Sequence, residues 1–173
     1  LFVTDAAVNI FPGLEDKADI CRNVIQMLHA LGIEQPKVAL LSAVETVTAK
    51  LPSTLEAAAL VVMSRRGQID GALLDGPLAF DNAINAEAAR VKGIHSEVAG
   101  DPDILLVPDM EAGNILAKQL IYLAGAEAAG IVLGARVPIV FTSRADSPRA
   151  RIASCGLAVL LAEARRARLG IPV

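Results

Sequence analysis

The chain has 173 residues, of which 54% are apolar and only 3% aromatic, so its core must be built from Ala, Val, Ile and Leu. The net charge of -3 and the pI near 5.4 argue against a nucleic-acid surface, because phosphate backbones normally require a basic face. Its longest apolar stretches, such as 152–162, are shorter than the roughly 18 to 20 residues of a membrane helix. No secretory leader is recognisable.

The two cysteines, Cys21 and Cys155, lie far apart and favour reduced thiols, buried within helices, over a disulfide framework. These features together predict a cytoplasmic protein that binds neither nucleic acid nor membrane. The chain opens directly in an apolar run, Leu1–Thr4. We therefore expect it to be part of a longer polypeptide with an upstream half.

Short apolar runs alternate along the chain with longer stretches of helical periodicity. A helix after Pro12-Gly13 is closed by Gly32, and Ser53 with Glu56 forms a capping-box pattern for the next helix. The predicted strands are 1–4, 38–41, 69–74, 104–107, 131–133 and 139–141. The first two predicted helices end near residues 31 and 65. Three more are predicted at about 85–92, 110–124 and 148–168.

The predicted strands are continuous apolar runs, as expected when helices cover both faces of a parallel sheet. The alternation of strands and helices therefore predicts a three-layer α/β fold with a mostly parallel sheet. In such sheets ligands bind beyond the carboxyl ends of the strands. Four polar clusters follow strands, and we expect them to converge there: Thr4-Asp5 with Asn9, Asp75–Asn82, Asp109–Asn114 and Thr142–Asp146.

The segment 138–148 is the most informative stretch of the chain. Ser147 is placed to cap a helix whose first residue is Pro148. The preceding loop puts the hydroxyl of Ser143 and the guanidinium of Arg144 beside free backbone N–H groups and the positive end of the helix. This segment predicts an anion site. Two further arginines in the first turn, at 149 and 151, belong either to the same site or to solvated surface.

The segment Asp109–Asn114 is the second candidate. Asp109 is either a plain helix cap or a ligand-binding residue. Gly113 in the first helical turn costs about 1 kcal/mol relative to Ala and allows a close approach to the backbone, while Asn114 offers a donor and an acceptor. Neither a dinucleotide-binding nor a Walker-type glycine loop is present, so those nucleotide sites are not predicted. The two histidines lack metal-ligand spacing, and capping and turn roles explain the aspartates at 75, 81, 109 and 146 better than a cation site, so no metal site is predicted.

Three strings resemble the phosphate acetyltransferase and phosphate butyryltransferase family: Asp75-Gly-Pro-Leu-Ala-Phe-Asp81, Val107-Pro-Asp-Met-Glu-Ala-Gly-Asn114 and Thr142-Ser-Arg-Ala-Asp-Ser147. The residues of these motifs are closer to the butyryltransferase-like branch, some of whose members are fused to an enoyl-CoA hydratase. The resemblance implies a two-lobed fold of the isocitrate/isopropylmalate dehydrogenase type, assembled as a homodimer or higher oligomer. Residues 1–134 would form the second, cleft lobe, and 135–173 would return to the first lobe.

The resemblance also implies the reaction, a reversible transfer of a short acyl group between coenzyme A and inorganic phosphate that gives an acyl phosphate. Acyl-CoA and phosphate are then the substrates, and no cofactor or metal is needed. The implied catalytic residues are Ser143 and Arg144. The implied substrate-binding residues are Asp109, Glu111, Gly113, Asn114 and Asp146.

Two positions depart from the acetyltransferase pattern. Ala150 stands where that branch has an Asp proposed as the base, and Ala6 stands where it has a Cys near the site. The base is then either another carboxylate, Asp146 or Glu111, or absent, since a thiol of pKa near 8.5 is partly ionised at neutral pH.

Two other functions remain open at this point. The first is a non-catalytic module that binds acyl-CoA and builds oligomers within a multidomain enzyme. The second is a metal- and nicotinamide-dependent decarboxylating dehydrogenase on the same fold. That enzyme would need a carboxylate cluster at helical spacing and a nucleotide loop, and the sequence shows neither.

Overall fold

The computed structural model describes residues 1–168, which form six strands and six helices. In chain order they are β1 (Phe2–Thr4), α1 (Leu14–Ala30), β2 (Lys37–Leu41), α2 (Pro52–Arg65), β3 (Leu73–Leu78), α3 (Phe80–Ile84), α4 (Ala86–Val91), β4 (Ile104–Leu106), α5 (Met110–Tyr122), β5 (Ile131–Val132), β6 (Ile139–Val140) and α6 (Pro148–Arg168).

Four of the strands form one parallel sheet in the order β1-β4-β2-β3. Strand β4 lies between β1 and β2, so that Ile104 is in register with both Phe2 and Val38. Alternate strand residues face opposite sides, as the pleat requires. Leu40 packs with α1 and α2, whereas Ala39 packs on the opposite side with α3 and the partly buried face of α5. The predicted three-layer α/β fold is confirmed.

Helix α1 begins and ends as its sequence predicts. The Asp16 carboxylate accepts a hydrogen bond from the Gly13 N–H at 2.9 Å, and Gly32 follows the helix with a φ of 89°, a left-handed conformation that favours glycine. Lys17 in the first turn is buried and forms an ion pair with Glu56 of α2. The pair, buried on the Lys17 side and partly exposed on the Glu56 side, ties the two helices together over the sheet.

Several boundaries differ from the prediction. The third strand is Leu73–Leu78 rather than 69–74, because Ile69 is buried in the turn after α2 while the strand continues through Pro77, which an edge strand tolerates. The predicted capping box is absent, since Ser53 Oγ lies 2.8 Å from Ser42 Oγ and Glu56 pairs with Lys17. Asn85 caps α4, accepting from the Glu87 and Ala88 N–H groups, and the short helix α3 precedes it.

The last two predicted strands do not join the parallel sheet. β5 and β6 pair antiparallel with each other, Ile131 opposite Val140, in a sheet of their own. Together with α6 they attach to the α1–α2 side of the body through Leu133 and the buried Leu161. Cys155 on α6 is exposed, contrary to the expectation that both thiols are buried, because it lies on the outer face of that helix. None of the described helices is long and apolar enough to cross a membrane.

Candidate functional site

The parallel order of the sheet determines which loops are neighbours at its carboxyl edge. The loop after β4, which leads into α5, lies between the loop after β1 and the loop after β2. The segment Asp109–Asn114 is therefore flanked on both sides by loops that also follow strands. This edge is where ligands of open α/β sheets bind.

The start of α5 holds four of the predicted site residues. Asp109 is the N-cap, and its Oδ1 accepts a hydrogen bond from the Ala112 N–H at 2.8 Å. A Cβ on the buried Gly113 would lie 2.7 Å from Val107 Cγ2 and 3.0 Å from Ala6 Cα. The groups that approach Gly113 are thus the Val107 side chain and the backbone of the loop after β1. Asn114 Nδ2 donates to the Ala6 carbonyl oxygen at 3.3 Å, and Glu111 is exposed.

The loop after β1, residues 5–13, is organised by one carboxylate. Asp5 accepts hydrogen bonds from the Ala7, Val8 and Asn9 N–H groups and from Asn9 Nδ2 at 2.7–3.0 Å. Burial raises the pKa of the Asp5 carboxyl, but these four bonds together outweigh burial, and the net effect lowers that pKa. The Met110 N–H also donates to the Ile10 carbonyl oxygen at 3.2 Å, which fastens this loop to α5.

The cluster after β3 is built around partners that the sequence analysis missed. Lys92 Nζ lies 3.3 Å from a Glu45 oxygen and 3.0 Å from the Asp81 carboxylate, which raises the pKa of Lys92 and lowers that of Asp81. Asn82 is fully buried and donates through Nδ2 to Glu45 at 3.1 Å, while its Oδ1 has no partner within the described residues. Glu45 and Lys92 are far from Asn82 in sequence, and no local pattern marks them.

The strand-to-helix loop 141–147 joins β6 to α6 as predicted. Ser147 Oγ accepts from the Ala150 N–H at 3.1 Å, as expected of a helix cap. Asp146 Oδ2 accepts from the Ser143 N–H at 2.6 Å, and the Asp146 N–H donates to the Ser143 carbonyl at 3.2 Å. Asp146 therefore holds the backbone that presents Ser143 and Arg144.

The three arginines at this helix start have different surroundings. Arg149 forms an ion pair with Glu127 at 2.9 Å, and Arg151 Nη2 donates to the Arg144 carbonyl oxygen at 3.2 Å. The guanidinium of Arg144 is exposed and makes no hydrogen bond or ion pair with any residue of 1–168. Arg144 is thus the member of the group whose guanidinium has no hydrogen-bond or ion-pair partner among the described residues.

The expected convergence of the polar clusters is met only in part. The first and third clusters contact each other through Ala6, Gly113 and Asn114. The cluster at 142–146 makes no hydrogen bond or ion pair with either of them in the described part of the chain. The physical reason is that this loop belongs to the β5–β6 sheet, which packs on the α1–α2 side, whereas α5 packs on the other. The roles assigned to Ser143 and Arg144 stay predictions.

Metal-ligating residues are scattered rather than grouped. Within residues 1–168 no set of three or more His, Cys, Asp or Glu side chains is arranged to hold a metal ion. The parallel sheet, with helices on both faces, defines a three-layer α/β domain. Comparison with known proteins identifies its family.

The chain belongs to the family described as phosphate acetyl/butaryl transferase, whose model matches residues 1–159. It is 66% identical over 167 residues to a phosphate acetyltransferase of Rhizobium meliloti, covering 96% of this chain and 53% of that protein. It is 50% identical over 162 residues to the phosphate butyryltransferase of Clostridium acetobutylicum, covering 94% and 54%. The family resemblance noted in the sequence is confirmed.

The solved structures agree with this assignment. The crystal structure of a branched-chain phosphotransacylase from Enterococcus faecalis V583 matches with a TM-score of 0.84 and 35% identity, over 92% of this chain and 57% of that one. The chain thus spans about half the length of the relatives that it matches.

Proposed function

We propose that the complete polypeptide carrying this chain catalyses the reversible transfer of a short acyl group between coenzyme A and inorganic phosphate. Membership of the phosphate acetyl/butaryl transferase family over residues 1–159 carries this proposal. The free guanidinium of Arg144, presented by a loop before a helix start, supports it. In this proposal the enzyme is a cytoplasmic homo-oligomer that needs neither a metal nor a cofactor.

The reaction requires positioning and charge stabilisation more than covalent chemistry by the protein. A phosphate oxygen attacks the thioester carbonyl, the carbon–sulfur bond breaks, and the thiolate leaves and takes up a proton. The planar guanidinium of Arg144 offers paired donors to phosphate oxygens. The hydroxyl of Ser143 donates to the oxyanion that develops on the carbonyl.

The contacts of the two candidate bases differ. Asp146 already binds the Ser143 backbone, which makes it a positioning residue for the loop. Glu111 lies exposed near the start of α5 without such a bond. In the reverse direction the thiol of coenzyme A attacks the acyl phosphate, and because that thiol is partly ionised at neutral pH, the proposed mechanism needs no dedicated base. Replacing Glu111 with Gln should therefore leave the turnover near neutral pH within about twofold of the unaltered enzyme.

The direct test is a thiol-release assay on the complete polypeptide, with acetyl-, propionyl- and butyryl-CoA in the presence and absence of phosphate. In Arg144→Ala we expect the phosphate KM to rise about 10- to 100-fold, because a charge-assisted hydrogen bond is lost. Arg149→Ala is the matched control, since its guanidinium already pairs with Glu127. An unchanged rate of Arg144→Ala at low phosphate would reject the role of Arg144.

A second variant tests the hydroxyl. Ser143→Ala should lose about 2 to 4 kcal/mol of transition-state stabilisation, seen in kcat rather than in the phosphate KM. Binding of coenzyme A by the unaltered enzyme without any release of acyl phosphate would instead favour the non-catalytic binding module.

A further inference from the structure

The loop after β2 contains a short segment, residues 43–47, that is fixed at both ends. At its start, the Ser42 N–H donates to the Leu78 carbonyl oxygen at 2.9 Å. At its end, the Thr48 N–H donates to Thr54 Oγ1, and the same hydroxyl donates to the Thr48 carbonyl oxygen, both at 2.9 Å. Between these anchors, no backbone N–H of 43–47 is hydrogen-bonded to a residue of 1–168. We call this segment the strap.

A single side chain ties the strap to the described part of the fold through polar contacts. One oxygen of the Glu45 carboxylate accepts a hydrogen bond from Asn82 Nδ2 at 3.1 Å and lies 3.3 Å from Lys92 Nζ. Asn82 belongs to α3, and Lys92 directly follows α4. Lys92 is itself held toward the strap by its second ion pair, with Asp81 at 3.0 Å.

This tie is weak enough to open. The side chains of Glu45 and Lys92 are 33% and 32% exposed, and ion pairs that water reaches stabilise little and weaken in salt. Asn82 is fully buried, and its Oδ1 already lacks a partner within the described residues. Release of Glu45 would leave the whole Asn82 amide unpaired, so the closed strap is favoured without being locked.

We propose that the strap opens and closes at the carboxyl edge of the sheet and that Lys92 is the latch that keeps it closed through Glu45. Strand β2 lies next to β4, so the strap is a neighbour of the loop after β4 that carries Asp109. Segments that move at ligand-binding edges come from the parts of a fold with few backbone hydrogen bonds, as here. The proposal concerns a motion of this chain and does not depend on acyl transfer.

The test labels single introduced cysteines in the complete polypeptide with iodoacetamide and follows each site by peptide mass spectrometry. Val44→Cys reports on the strap at a partly buried position, while Val47→Cys, where the valine is 52% exposed, is the matched control on the same segment. Lys92→Met should speed labelling at position 44 about three- to tenfold and leave position 47 within about twofold. Loss of the Lys92 charge alone would slow labelling, because a nearby cation favours the thiolate.

Salt gives a second measurement that requires no change at Lys92. Sodium chloride at about 0.5 M should speed labelling of Val44→Cys when Lys92 is present and have little effect in Lys92→Met. Glu87→Gln is the charge control, because it breaks the exposed ion pair with Arg90 on α4. Labelling at position 44 that is unchanged in Lys92→Met and in salt would overturn the proposal. An equal acceleration in Glu87→Gln, or at position 47, would overturn it as well.

Discussion

The parallel sheet completely buries Val38, Ile104 and Leu105, whereas both residues of β6 remain exposed. The loops that follow β1 and β6 differ in the contacts that hold them. The loop after β1 is held by Asp5 and by contacts with α5, while the loop before α6 is held mainly by Asp146 and Arg151 from its own neighbourhood.

The two loops thus differ in how many contacts with other elements hold them. The loop after β1 exposes Val8, Ile10 and Phe11 on a backbone that Asp5 and α5 hold by hydrogen bonds. The loop 141–147 offers a hydroxyl and a free guanidinium on a backbone with few long-range contacts. We expect the two regions to differ in packing and in stability.

The largest expected difference is in thiol reactivity. Burial raises the pKa of Cys21 in α1 to about 12, although the charge of Arg22 acts in the opposite direction, while Cys155 of α6 is exposed. At pH 8 in the native protein, iodoacetamide should modify Cys21 about a thousandfold more slowly than a free cysteine, because so little thiolate is present. Peptide mass spectrometry after timed quenching should find Cys155 labelled first. Faster labelling of Cys21 would show that α1 is not packed as described.

A matched pair of isoleucines tests the packing of the two sheets. Ile104→Ala in β4 should lower the free energy of unfolding by about 2 to 5 kcal/mol, since it leaves a cavity among fully buried neighbours. Ile139→Ala in β6, where the side chain is 46% exposed, should cost less than about 1 kcal/mol. Urea unfolding followed by circular dichroism measures both. Equal losses would contradict the difference between the regions.

Two helical glycines give the next comparison. Gly113→Ala in α5 should destabilise the protein by about 1 to 3 kcal/mol, because the new methyl group collides with Val107 and the backbone of Ala6. Gly156→Ala in α6 has open space and should stabilise it by up to about 1 kcal/mol through helix propensity. Thermal unfolding of the two variants should therefore shift in opposite directions; a stabilising Gly113→Ala would refute the close approach.

The smallest effect concerns Asp5. Hydrogen bonds lower the pKa of the Asp5 carboxyl in the folded state. The carboxylate therefore stabilises the fold at pH values above its unfolded pKa of about 4, and this stabilisation is lost as the pH falls through the folded pKa. Asp5→Asn should cost about 1 to 2 kcal/mol at pH 7 and less at pH 3. Asp70→Asn, at an exposed carboxylate, is the control. A cost that does not change with pH would show that the charge of Asp5 is not involved.

The sequence predicted most of the elements because their apolar runs and caps are local features. The predictions were wrong where residues distant in sequence determine the contacts. Ser53 and Glu56 match a capping pattern, yet Ser42 and Lys17 bind them instead. The end of β3 was not predicted because a proline, here Pro77, is tolerated within a strand only at the edge of a sheet. The sequence does not show which strands lie at an edge.

The candidate site was predictable to a similar extent. The sequence identified Asp109, Gly113 and Asn114 as candidate site residues. In the structure Asp109 caps α5, while Gly113 and Asn114 contact the loop after β1. Glu45 and Lys92 were missed because they meet Asp81 and Asn82 only in the folded chain. The placement of loop 141–147 depends on the pairing of β5 with β6, which no periodicity predicts.

The position of β4 has a consequence for biosynthesis. Strands β1 and β2 are not hydrogen-bonded to each other, because β4 lies between them, and Phe2 pairs with Ile104. A ribosome must therefore have released Ile104 before Phe2–Thr4 can pair in the sheet, and until then the apolar face of α1 lacks its packing with Ile104 and Leu106. Nascent chains of this topology are natural clients for a chaperone that shields apolar surface while the central strand is still being made.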